Sequence, residues 1–153
     1  MKHWVQYIAV LVLIAILPFK GTDIAKLAPV EVVWLTEENS QVYLQTDTGD
    51  IGMGKTVEDA LANMKATALG MIFLETADYL IVKMGREDLV AQVYNVLRPS
   101  CMVCAAEKLP DMKSAAQFLA AHEPQITLRQ YRAECGNLAI LAERDGRFEW
   151  LAQ

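Results

Sequence analysis

The 16 residues from Trp4 to Phe19 hold 14 apolar side chains, and Tyr7 to Leu17 carries no polar one. A segment apolar on every face has no place on the surface of a water-soluble domain. It is short of the roughly 20 residues that span a bilayer and long for a signal core of about 7–15. Cleavage of a signal needs small residues at its end, but Leu17, Phe19 and Lys20 stand there, and no cysteine follows for lipid attachment. Residues 1–21 therefore read as an uncleaved N-terminal membrane anchor in preference to a cleaved signal. Residues 22–29 read as a tether and 30–153 as one globular domain. A buried core helix is the remaining alternative for the apolar run.

Composition agrees with one domain on an apolar leash. A chain of 153 residues has room for one sizeable core. Its mean hydropathy of +0.20 is high, but the apolar run carries the excess. Without residues 1–21 the chain keeps 12 basic and 19 acidic residues, a net −7. That balance excludes nucleic acid as a partner, since phosphate binding needs a basic face. It also disfavours anionic lipid headgroups. Lys2 before the run and Lys20 and Lys26 after it barely orient the span. The short N-terminal flank favours export of the domain, giving an extracytoplasmic location.

Beyond the tether, Val30 to Leu35 and Gln41 to Asp47 read as a hairpin around Glu37-Glu38-Asn39-Ser40. In its second arm Val42, Leu44 and Thr46 share one face, and Gln41, Tyr43 and Gln45 the other. After a loop from Gly49 to Gly54, Thr56 caps a helix that runs to Gly70 through Val57, Leu61, Met64 and Ala68. Met71 to Val82 reads as a strand, Arg86 to Leu97 as a helix stopped by Pro99, and Cys101 to Ala106 as a buried strand. Asp111 caps a helix with Ala115, Phe118 and Leu119 inward, and Thr127 caps a short one over Leu128 to Glu134. Asp145-Gly146 turns a terminal hairpin. The fold class is α+β (mixed α/β), a small mixed sheet. Its order is β-β-α-β-α-β-α, then a short helix and a C-terminal β-hairpin, all preceded by the apolar helix.

Gly49 to Thr56 matches G-x-x-x-x-G-K-[ST], the loop whose backbone N–H groups cradle phosphates. On that reading Gly49, Gly54, Lys55 and Thr56 bind a nucleotide. The context counts against it. A phosphate loop follows a central, apolar, parallel strand, whereas this one follows the alternating arm of a hairpin. About 130 residues also leave few strands for a nucleotide-binding sheet.

Cys101 and Cys104 form a C-x-x-C, a thiol-redox spacing when it opens a helix. Here it sits on an expected strand, where positions three apart point to opposite faces. Two small buried side chains are the simpler reading. A zinc site from Cys101, Cys104, His122 and Cys135 would lack tight spacing in its second half. His122 reads as a solvated helix end. Glu75 and Asp78 read as a solvated pair at a loop or strand edge, and Glu37 and Glu38 as turn residues; no carboxylate pair has glycosidase geometry.

The order of elements also carries a resemblance. Lys55 to Leu61, Ile72-Phe73-Leu74 leading to Tyr79-Leu80-Ile81-Val82, Leu89 to Leu97, Cys101 to Glu107 and Phe118-Leu119 follow one another in a familiar pattern. Together they are similar to the N-terminal domain of spore-germination receptor C-subunits, the Ger(x)C-type lipoproteins. Gly85 falls near that family's post-strand glycine, and Ala105-Ala106-Glu107-Lys108 resembles the end of a later strand. The pattern covers about residues 30–123. It departs from the family in lacking the lipobox cysteine, a histidine before the third strand and the later domains. The segment before the fourth strand is reduced to Leu97-Arg98-Pro99.

The resemblance implies a membrane-tethered, single-domain relative from a spore former, with no catalytic residue inherited. The expected function is thus non-enzymatic and without cofactor. Residues 4–19 would hold the membrane, and a membrane protein would be the partner, met at sheet edges or at the Gly49–Gly54 loop. The alternatives are the nucleotide binder and the thiol-redox or zinc module.

Overall fold

The computed structural model describes residues 27–151. The expected anchor and most of the tether lie outside them. Among the described residues no helix is long and apolar enough to cross a membrane.

Strands β1 (Leu27–Pro29), β2 (Val32–Glu38), β3 (Gln41–Thr46) and β4 (Ile51–Gly54) come first, followed by helix α1 (Val57–Thr67). Next come β5 (Met71–Phe73), β6 (Tyr79–Lys83), a tight 3-10 segment at Glu87–Val93, and β7 (Met102–Ala106). Helices α2 (Met112–Ala121) and α3 (Leu128–Glu134) and the hairpin β8 (Ile140–Arg144) and β9 (Arg147–Leu151) complete the order. Seven strands form one mixed sheet, β4-β3-β2-β6-β7-β8-β9, and β1 pairs with β5 in a second, two-stranded one. The strands β2, β6, β7 and β8 run parallel, and each flanking hairpin arm is antiparallel.

Parallel strands are covered on both faces, and their sequences show it. Val32 to Thr36, Tyr79 to Val82 and Val103 to Ala106 are buried without interruption. One face sets Val33, Leu35, Leu80, Val82 and Val103 against Val57, Ala60 and Met64 of α1 and against Leu89, Val90 and Val93. The other sets Val32, Trp34, Ile81, Cys104 and Ala106 against Met112, Ala115 and Leu119 of α2. The β3 strand instead alternates, with Val42, Leu44 and Thr46 buried on the α1 side.

The helix starts follow their caps. The Thr56 hydroxyl accepts from the Asp59 N–H, and an Asp111 carboxylate oxygen accepts from Ser114. Thr127 and Gln130 form a capping box. Asp145 and Gly146, both at positive φ, turn the last hairpin as expected.

Four expectations are corrected. The span from Met71 to Val82 is two strands in different sheets. Thr76 ends the first, its hydroxyl accepting from the Val30 N–H at 3.3 Å and donating to the Phe73 carbonyl at 2.7 Å. Arg86 to Leu97 is not an α-helix. Its buried Leu89, Val90 and Val93 sit on a 3-10 segment, and the β-branched Val90 and Val93 lower the propensity for an α-helix there. The tether is shorter than residues 22–29, because Leu27–Pro29 is already paired with Met71–Phe73. The stretch after Gly49 is a strand and not a loop.

Candidate interaction surface

The glycines in and around the phosphate-loop pattern serve the backbone. Gly52 and Gly54 lie on β4, where it presses against α1. A methyl group on either would collide with the Ala60 and Asp59 backbone. Gly49 supplies only the positive φ of the β3–β4 turn. Lys55 is exposed, and Thr56 spends its hydroxyl on capping α1. The strand before the pattern is antiparallel to its neighbour and next to the sheet edge. Of the pattern's residues, Gly49 turns the chain, Gly54 packs on α1, Lys55 is exposed and Thr56 caps the helix.

The thiols are also separated. Cys101 belongs to the core on the α1 side and Cys104 to the core on the α2 side. Both are fully buried and free. Burial pushes the Cys101 thiol up to about 12 and raises that of Cys104 as well. Burial of this kind keeps both thiols protonated and lowers their reactivity. Cys135 is exposed at the C-cap of α3, and His122, at the C-cap of α2, stacks on Phe118 at 4.6 Å. Among the described residues no group of three or more His, Cys, Asp or Glu side chains is placed to hold a metal ion.

Of the candidate carboxylates, Glu37, Glu38 and Asp78 are held in ion pairs. Arg86 binds both Glu37 and Asp88, its pairs with Asp88 at 3.1 Å, and holds the Asp88 carboxyl below its usual range. Lys83 binds Glu38 at 3.0 Å. Arg98 binds Asp78 and donates to the Ala77 carbonyl, fixing the entry to β6 to the segment before β7. Sequence reading missed Arg86 and Arg98, whose partners are mostly distant in the chain.

What the fold leaves open is one half of the α2 face. Helix α2 covers the middle of the sheet, and among the described residues no helix covers that face of β3 and β4. Cross-strand register sets Trp34, Gln45 and Ile51 in one row and Thr36, Tyr43 and Met53 in the next. Ile51 and Met53 are half exposed, at 50% and 49%. Lys83 and Glu38 close one side, and Glu107, Lys108 and Leu109 after β7 close another, around a groove of about 560 Å³. Its floor is apolar and its rim carries two acids and two lysines, so charge balances there in a chain of net −5. The Thr36 hydroxyl oxygen, in the floor, is buried without a hydrogen-bond partner. The row Gln41, Tyr43, Gln45 was legible as the outer face of β3; its pairing with Ile51 and Met53 was not.

The edge of β4 is less accessible than expected, because the Met53 N–H donates to the Asn63 side-chain oxygen of α1 at 3.1 Å. This moves the candidate contact surface from the Gly49–Gly54 segment to the sheet face beside it. No protein-family model matches the chain, and neither a curated protein nor a solved structure matches it.

Proposed function

We propose that the chain is a membrane-tethered, extracytoplasmic domain that works by contact and not by catalysis, holding a protein partner in the groove over β2, β3 and β4. The observation that carries this reading is the half-exposed pair Ile51 and Met53, set on an apolar floor beside Trp34 and Tyr43. Large apolar side chains grouped in a concave surface and rimmed by charge mark protein-binding surfaces. The fitting partner presents an apolar ridge flanked by both signs of charge. The apolar run Trp4–Phe19 supports the tether. The resemblance to germination-receptor subunits supports a membrane protein as the partner.

The test is a photo-crosslinking amino acid at Tyr43 in the full chain, expressed in its own membranes. A covalent adduct with a membrane protein is expected from Tyr43 and not from the exposed Lys65 of α1. Equal labelling from both positions, or none from Tyr43, would sink the reading.

A further inference from the structure

A second apolar surface lies where the described chain meets the segment that leads to the apolar run. Leu69 is fully exposed, at 106%, and Met71 and Phe73 are exposed at 52% and 37%. Met71 and Phe73 share one side of β5, while Ile72 between them points to the core. The groove takes up Ile51, Met53 and Leu109 among the exposed large apolar side chains, but it has no claim on these three. From Ala66 to Leu74 the chain carries no charge at all.

The partner strand of β5 is β1, the first described element. Leu27 stands only eight positions after Phe19, the end of the apolar run. A fully extended chain of that length reaches at most about 27 Å. With Trp4–Phe19 in a bilayer, the β1–β5 pair is therefore confined close to its surface. We propose that Leu69, Met71 and Phe73 insert into the interface of that bilayer and dock the domain against it, an inference that rests on the tether proposed above. Insertion draws on apolar burial, because the charge-free stretch offers nothing to an anionic headgroup. Docking is thus expected on neutral phosphatidylcholine and to be insensitive to salt.

The experiment uses the full chain with Cys135→Ser, reconstituted in phosphatidylcholine vesicles. Single cysteines at Leu69, Met71 and Phe73, and a control at the exposed Lys113 of α2, carry an environment-sensitive fluorophore. The expected result is loss of emission to a lipid-borne quencher at positions 69, 71 and 73, and to aqueous iodide alone at 113. If the chain floats with vesicles but iodide quenches position 69 as it does 113, lipid docking is wrong and the tether stands. If position 69 is shielded from both quenchers, a protein covers the patch and the inference is overturned. If the chain does not float with vesicles, the tether falls and this inference with it.

Discussion

Gly52 of β4 packs so closely on Ala60 of α1 that a methyl group there would fall inside the Ala60 carbonyl oxygen. Gly54, the second glycine of the pattern that imitates a phosphate loop, makes the same kind of strand–helix contact against Asp59 and Ala60, while Gly49 only turns the chain. Two outcomes follow. Gly52→Ala must push β4 off α1 and is expected to cost about 1–3 kcal/mol or more, read as a lower denaturant midpoint. Lys55→Ala, at an exposed site, is expected to stay within about 0.5 kcal/mol of wild type. Added nucleotide should shift neither midpoint, and a nucleotide-dependent shift lost in Lys55→Ala would restore the phosphate-loop reading.

Much of the fold was legible because it is local. Thr56, Asp111 and Thr127 announce helices by capping chemistry confined to three or four residues. Asp145-Gly146 announces a turn in the same way. What stayed hidden depends on distant residues. The break at Thr76 is set by Val30, 46 positions away. Leu89, Val93 and Leu97 stand four apart, the spacing of an α-helix, and the three-residue step from Val90 to Val93 that suits a 3-10 segment is a weaker signal beside it. The groove is hidden for a deeper reason. Alternation in β3 says that Tyr43 and Gln45 face away from the α1 core, but not whether another helix covers them. That depends on where residues 112–121 pack.

The thiols give a pH signature. Cys101 has an ordinary thiol value of 9.0 when unfolded and about 12 when folded, and Cys104 is shifted in the same direction. Native thiols stay protonated where unfolded ones ionise, so the unfolded state binds fewer protons above pH 9. Their contribution to stability is fully present below about pH 9 and is lost as pH rises toward 12. The expected slope approaches about 1.4 kcal/mol per pH unit for each thiol. Denaturant titrations between pH 8 and 11 check it. A native-state thiol assay should count Cys135 alone, and all three after unfolding.

Thr36 gives a sign that is unusual for a core position. Its hydroxyl oxygen is buried and unpaired, so the folded state carries the cost of its lost hydration. Thr36→Val keeps the β-branched shape and removes that oxygen. The variant is expected to be more stable than wild type by about 1 kcal/mol. A higher denaturant midpoint with unchanged slope is the confirming result; a lower one would mean that the hydroxyl finds a partner in solution.

The groove itself is tested by separating stability from contact. Ile51 and Met53 are only half buried, so little apolar area is at stake in the folded domain. Met53→Glu is therefore expected to change stability by no more than about 0.5 kcal/mol. In the groove the same change is severe. It puts a carboxylate into the apolar floor, on a surface already rimmed by Glu38 and Glu107, where a partner's apolar ridge would have to desolvate it. The Tyr43 photo-adduct is expected to disappear in Met53→Glu and to persist in Met53→Leu, with both proteins melting near wild type. An adduct that survives the charge would mean that the partner does not touch this floor.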